Sequence, residues 1–341
     1  MNRFEALRSR LRLAHLPTPI EEPRGLDALL GEGGRGTRIF VKRDDMTGGP
    51  CAGNKIRKLE YLFAAAVKAG ATTVITCGGI QSNHARATCI LARTLGLNAI
   101  VLLRTTEAER DVRKVPPTGN LFLDRMVGAD VRLISPEQYR ARNELMAEVA
   151  EAVRSKGGVP YVIPEGGSNA LGSLGYVRAM NEVARQLEVG IAGGTPFDVV
   201  VHACGSGGTA AGVVVGAKTF GVAKAARAMA VCDNVTYFTG VVSKIVADLG
   251  ETFGFSDALP IDVDDRAKGP AYGVATFEQR TLIVEIARRT GLLLDPVYTG
   301  KAFVGMAEAV RRGELGGRVL FLHTGGLPGL LADASAFSAE L

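Results

Sequence analysis

Short runs of Val, Ile and Leu alternate along the chain with longer segments whose apolar residues recur every three or four positions. After a Pro-rich opening, Leu16-Pro17-Thr18-Pro19-Ile20, the run Arg38-Ile39-Phe40-Val41-Lys42 predicts a strand ending in the charged Arg43-Asp44-Asp45. A helix from Lys55 to Ala69, a strand at Thr73–Thr76, a helix from Asn83 to Leu95, strands at Ala99–Leu103 and Ala129–Ile134, a helix from Pro136 to Lys156 and a strand at Pro160–Pro164 follow in turn. The pattern breaks at Glu165-Gly166-Gly167-Ser168-Asn169, which marks a crossing between domains. Beyond it come a helix from Val177 to Leu187, a strand at Asp198–Val201, a helix from Thr209, a strand at Ala228–Val231, helices Val241–Phe253 and Thr276–Thr290, and a strand at Val319–Leu322. Strands separated by helices predict parallel sheets, so the expected fold class is two open α/β domains with the site in the cleft.

Composition narrows the class without changing it. A length of 341 residues exceeds the usual single domain, in line with two. The net charge of +5, from 40 basic and 35 acidic residues, is too small and dispersed for a nucleic-acid or membrane surface. The first residues have no signal-peptide core, and no run approaches the roughly 18 apolar residues of a membrane span, so a cytoplasmic protein is expected. Cys51, Cys77, Cys89, Cys204 and Cys232 are never spaced as CxxC, which argues against zinc and a disulfide framework and suits a reducing cytosol.

Candidate chemistry gathers in turns. Gly78–His84, Cys204–Thr209, Asp295–Gly300 and His323–Gly326 each follow a strand candidate, and ligands of open α/β sheets bind at the carboxyl ends of strands. The stretch Cys51-Ala52-Gly53-Asn54-Lys55-Ile56-Arg57-Lys58-Leu59-Glu60 places three cations in four residues at a helix start, where acids are favoured. A structural lysine sits badly there. A chemical one sits well, because the helix end and the neighbouring Arg57 and Lys58 lower the pKa of Lys55 and free its amine as a nucleophile. Arg57 and Lys58 are read as surface cations that at most tune it; by itself the run also fits a solvated basic face.

In Gly205-Ser206-Gly207-Gly208-Thr209, small residues let successive N–H groups point at one spot at a helix start, as a phosphate requires. The same segment fits G-x-G-x-x-A ending at Ala210, with Asp233 after the next strand, which leaves a dinucleotide site open, as does a tight turn holding nothing. Gln81, Ser82, Asn83 and His84 offer amide, hydroxyl and imidazole groups where a cap needs only one. Tyr272, Tyr298 and Thr324 are candidates for the same site or ordinary half-buried and turn residues. Metal-spaced histidines, a GxSxG elbow, a Walker A run and HExxH are all missing, so hydrolase and nucleotide-phosphate chemistry lose ground. A poised lysine, a phosphate cup, a carboxylate-type loop and a late hydroxyl together fit pyridoxal 5'-phosphate.

Lys42-Arg43-Asp44-Asp45, Gly53 to Glu60, Gly79 to His84, Gly166-Gly167-Ser168-Asn169, Asp295 to Lys301 and His323-Thr324-Gly325-Gly326 resemble, in order, the motifs of the ACC deaminase / D-cysteine desulfhydrase family. The resemblance implies the fold type II architecture of the tryptophan synthase β subunit, with residues 1–53 and 166–341 in a large domain and 54–165 in a smaller inserted one. It implies that Lys55 holds the cofactor covalently, Asn83 contacts its ring oxygen, the turn Gly205, Ser206, Gly207, Gly208 and Thr209 holds its phosphate, and Thr324 meets its ring nitrogen. Gln81, Ser82, Asn83, His84 and Thr299 are implied on the substrate side, with Tyr272 and Tyr298 along the reacting face. A small amino-acid substrate and a homodimer are implied as well.

Members that open the cyclopropane ring carry Glu directly after the DPVY tyrosine, where this chain has Thr299. That favours β-elimination from D-cysteine to pyruvate, hydrogen sulfide and ammonia, with L-cysteate sulfo-lyase and ACC deaminase as alternatives. Outside the family, the alternatives are a nicotinamide-dependent oxidoreductase built on the Gly205–Ala210 turn and a non-catalytic protein that binds pyridoxal phosphate.

Overall fold

Among the residues described in the computed structural model, 3–49 and 52–341, ten strands form two sheets; Cys51 lies outside them. In chain order the strands are β1 (Ile20–Glu21), β2 (Arg38–Lys42), β3 (Thr73–Gly79), β4 (Asn98–Arg104), β5 (Asp130–Ile134), β6 (Pro160–Val162), β7 (Phe197–Cys204), β8 (Ala223–Ala230), β9 (Asp262–Asp264) and β10 (Arg318–Leu322). One sheet has the order β5-β4-β3-β6 and is parallel throughout. The other runs β1-β2-β10-β7-β8-β9 and is parallel apart from its edge strand β1. The protein is thus a fold type II α/β structure, in which β2 pairs residue by residue with β10 from Arg38↔Arg318 to Lys42↔Leu322.

Every residue of β3 is buried, as a parallel strand covered by helices on both faces demands. Strand β8 reaches back to Ala223, beyond the predicted Ala228, through the register Phe197↔Ala223 to Cys204↔Ala230. Its first half, rich in alanine with Lys224 and Ala225 exposed, has little intrinsic β preference and is recruited by its neighbour.

The helices that position the site are α1 (Asn54–Lys68), α2 (Asn83–Thr94), α3 (Gly119–Met126), α4 (Pro136–Arg140), α5 (Arg142–Arg154), α6 (Ala170–Glu188), α7 (Gly208–Phe220), α8 (Val235–Phe253), α9 (Phe277–Thr290) and α10 (Thr299–Arg311). The single helix predicted from Pro136 to Lys156 is two, because the chain leaves helical geometry at Ala141 (φ −96°, ψ 28°). Helix α8 starts at Val235 rather than Val241, where Asn234 caps it by accepting a bond from the Tyr237 N–H at 2.9 Å.

Helix α1 lies at the junction of the two sheets. Ile56, Leu59, Leu62 and Phe63 pack with Val74 of β3 and Val101 of β4, while Tyr61 joins Tyr176 of α6 and Phe197 of β7. Helix α6 crosses α1 backbone to backbone: a Cβ at Gly175 would lie 2.4 Å from the Arg57 carbonyl oxygen, so only glycine fits.

Candidate active site

Three turns meet where α1 begins. The Asn54 N–H donates to the Thr324 carbonyl at 3.1 Å, and the Asn54 side-chain amide donates to Thr209 Oγ1 at 3.1 Å. Lys55, the next residue, is half-buried, and its amine has no hydrogen-bond or ion-pair partner among the described residues. Burial pushes its pKa down to about 8 against the pull of Glu165 and Cys204. The expected cause, neighbouring cations, is therefore secondary.

Arg57 and Lys58 are not surface cations: each is 1% exposed. A helix enclosed between two layers has no solvated face, so its cations must find partners inside. Arg57 pairs with Asp44 at 2.7 Å and Glu182 at 3.0 Å, Lys42 pairs with Glu182 at 2.6 Å, and the Tyr176 hydroxyl donates to Asp44 at 2.6 Å. Lys58 donates only to the Gly166 carbonyl at 3.0 Å and Ser168 Oγ at 3.1 Å, and no carboxylate lies within ion-pair distance among the described residues. Burial, with Lys55 adding, holds its pKa well below the ordinary lysine range. The spacing of three from Lys55, which puts both amines on one helix face, is the signal that identifies it in the sequence.

Lys58 borders the glycine turn. A Cβ at Gly208 would lie 2.8 Å from its Nζ, and Gly207, with φ 81°, turns the chain into α7. Ser206 Oγ lies 2.8 Å from Ser168 Oγ, which also accepts from the Gly208 N–H at 3.2 Å. Asn54, Lys55, Asn83, Gly205, Ser206, Gly207, Thr209, Tyr298 and Thr324 line this cup. A helix N-terminus, small residues and a buried lysine amine without a carboxylate make it a place for an anion, and they fit the phosphate of pyridoxal phosphate.

Lys55, Gly205, Ser206 and Tyr298 also line a broader cavity of about 560 Å³ that takes in Ser82, His84, Arg104, Glu165 and Tyr272. Ser82 caps α2, accepting from the Ala85 N–H at 3.2 Å. Asn83 Oδ1 accepts from the Asn120 amide at 3.1 Å, which leaves its own amide N–H groups as donors to the cup. His84 Nε2 lies 2.9 Å from Thr76 Oγ1, and burial keeps the ring neutral. The Tyr272 and Tyr298 hydroxyls are 2.5 Å apart with their rings edge to face; burial raises the pKa of both, that of Tyr272 to about 12.

Two residues expected on the substrate side lie elsewhere. Gln81 braces the start of α3, donating to the Thr118 carbonyl at 3.1 Å and accepting from the Asn120 N–H at 2.8 Å, and it lines neither the cup nor the cavity. Thr299 is fully buried and donates to Asp295 Oδ1 at 2.6 Å. Asp295 also accepts from the N–H groups of Val297, Tyr298 and Thr299, so this network shapes the loop that presents Tyr298. That loop follows irregular chain, not the expected strand.

Sequence reasoning missed a second layer on the cavity wall. Arg104, at the end of β4 and in register with Gly79, lies over the rings of Tyr139 and Tyr272, while Glu165 accepts from the Tyr139 hydroxyl at 2.5 Å and pairs with Arg142 at 3.0 Å. Its position at the carboxyl end of a parallel strand, beside the Gly79–His84 turn, was the available signal.

Among the described residues no cluster of three metal-capable side chains occurs, and no helix is long and apolar enough to cross a membrane. Residues 11–325 match the family described as "Pyridoxal-phosphate dependent enzyme". The chain is 42% identical over 325 residues, 93% of its length and 78% of the relative's, to the bifunctional D-cysteine desulfhydrase/1-aminocyclopropane-1-carboxylate deaminase, mitochondrial, of Arabidopsis thaliana. It is 38% identical over 326 residues, 95% of either chain, to the D-cysteine desulfhydrase of Yersinia pestis. A solved ACC deaminase homologue superposes with a TM-score of 0.88 at 35% identity, covering 100% of this chain and 99% of the other.

Proposed function

Because the chain belongs to the pyridoxal-phosphate dependent enzymes, in the ACC deaminase / D-cysteine desulfhydrase family, we propose that it eliminates the Cβ substituent of a small amino acid, with D-cysteine as substrate and pyruvate, hydrogen sulfide and ammonia as products. The observation that carries this reading is the pair of amines on one face of α1: Lys55 with a lowered pKa and no partner, and Lys58 buried against the glycine turn without a carboxylate.

Pyridoxal phosphate, when bound, supplies an electrophilic carbon for an amine and a ring that draws electrons from Cα. Lys55 would hold that carbon, and the Gly205–Thr209 turn, with Lys58 beside it, would hold the phosphate. Asn83 and Thr324, both in the lining of the cup, would serve the ring oxygen and the ring nitrogen. A hydroxyl there does not stabilise a protonated ring nitrogen as a carboxylate does, so charge at Cα is less dispersed and expulsion at Cβ is favoured. Ser82 and neighbouring amides receive the substrate carboxylate.

Once displaced by the substrate amine, Lys55 takes the Cα proton, since an amine with a pKa near 8 is a competent base at neutral pH. The Tyr272–Tyr298 pair, held protonated by burial, donates to the departing sulfur. The C–S bond breaks, sulfur takes the electron pair, and the released enamine hydrolyses to pyruvate and ammonia. Thr299 favours D-cysteine over ACC: its hydroxyl is occupied by Asp295, and no carboxylate follows Tyr298. The nicotinamide reading of the Gly205–Ala210 turn is set aside, because the family match spans that turn together with Lys55 and Thr324.

The division into residues 1–53 with 166–341 and an inserted 54–165 is supported by the smaller sheet, whose strands all fall between Thr73 and Val162. Cytoplasmic placement is supported by the free thiols of Cys77, Cys89, Cys204 and Cys232, and the homodimer by family membership. Borohydride reduction of the loaded enzyme should fix the cofactor on Lys55; a label on any other residue overturns the assignment. Pyruvate should form from D-cysteine, and release of α-ketobutyrate from ACC alone would overturn the reading of Thr299.

A further inference from the structure

Arg104 stands in the cavity wall. Its guanidinium carbon lies 5.0 Å from the Tyr139 ring centroid and 5.2 Å from that of Tyr272, so its contacts are with two aromatic rings. Its N–H fork donates to no protein acceptor among the described residues. The cavity's side chains include three cations, Lys55, Arg104 and Arg142, and two carboxylates, Glu165 and Asp233. Glu165 is taken by Arg142 and the Tyr139 hydroxyl, and Asp233 is exposed and accepts from Cys232 Sγ. Lys55 is reserved for the cofactor, which leaves Arg104 as the cation without an assignment.

We propose that Arg104 is a specificity-determining residue that receives an anionic substituent at the substrate's Cβ: a sulfonate in the ground state, or the sulfur of a thiol as it gains charge on leaving. A planar, weakly hydrated guanidinium in contact with two rings suits a bidentate oxyanion better than a point cation would. The inference rests on the β-elimination reading, in which Ser82 and nearby amides take the α-carboxylate and only a second negative charge needs Arg104. The step balances without an oxidant. Lys55 takes the Cα proton, the Cβ–S bond breaks, and the electron pair leaves with sulfur, as sulfite from cysteate or hydrosulfide from cysteine.

The test uses loaded wild-type, R104Q and R104K enzymes with both enantiomers of cysteate, cysteine and β-chloroalanine. R104Q should lower kcat/KM for cysteate by about 30-fold or more, for cysteine by less, and for β-chloroalanine by under about threefold, with R104K restoring part of the cysteate activity. An equal fall on all three, an unchanged cysteate rate, or no cysteate turnover by the wild type overturns the proposal. Calorimetry gives a readout independent of turnover: 3-sulfopropanoate should bind the wild type about tenfold or more tighter than butanoate, and R104Q should erase the difference. Equal binding of the two probes by the wild type overturns the proposal. If the preference holds but none of the three amino acids releases pyruvate, the β-elimination reading fails while the anion contact at Arg104 stands.

Discussion

On one face of α1, Arg57 meets Asp44 and Glu182, and Lys42 meets Glu182, so two cations and two carboxylates cancel in the interior. On another face, Lys55 lines the cup, Lys58 lies behind the glycine turn that forms it, and Arg104 stands across the cavity, with no carboxylate bonded to any of the three among the described residues. The same helix start feeds both clusters. A matched set of buried charges fixes where α1 sits, and an unmatched set is completed only by a ligand.

Mutations should separate the two. Lys55→Ala should lower pyruvate release by about a thousandfold or more while leaving the urea midpoint in place, because its amine has no partner to lose. Arg57→Met should do the reverse in kind, costing about 3–5 kcal/mol in urea unfolding, since Asp44 and Glu182 stay buried without their cation.

Acid sharpens the contrast. Interaction with Arg57 and Lys42 outweighs burial and lowers the Glu182 pKa from 4.5 to about 2. A depressed folded pKa contributes stability above the unfolded value and loses it as pH falls through the folded one, so about 3 kcal/mol should vanish between pH 4.5 and 2. Glu182→Gln should flatten that limb of the stability profile.

The smallest effect carries the opposite sign. Lys58→Met removes a buried amine whose lowered pKa costs stability at neutral pH, and should stabilise the unloaded protein by about 1 kcal/mol while weakening pyridoxal phosphate binding about tenfold. A loss of stability in the unloaded protein would place Lys58 with the matched cluster.

Elements rich in Val, Leu and Phe and buried on both faces, such as β7 and β10, could be read from the sequence because local composition and burial agree there. The alanine-rich start of β8 and the break at Ala141 could not, since partners or local geometry decide them. Ser206, Thr209, Asn83 and Thr324 could be placed at the cup because residue type and strand-end position coincide, and Lys55 because a cation stands at a helix start. Arg57 was misjudged because its partners lie at Asp44 and Glu182, and a helix covered on several sides looks locally like a basic surface. Gln81 was misplaced and Arg104 overlooked for the same reason: the groups at Thr118, Tyr139 and Tyr272 that occupy or orient them are distant in sequence.

The matched cluster also sets a timetable. Lys42, Asp44 and Arg57 leave the ribosome well over a hundred residues before Glu182, and β2 precedes its partner β10 by far more. At about 5–20 residues per second, β2 and the lysine helix must wait several seconds for Glu182, and β2 longer for β10. The smaller sheet, complete by Val162, is free to assemble meanwhile. Lys55 is therefore translated early, but its surroundings are finished only when β10 slides between β2 and β7 and brings Thr324 to the start of α1.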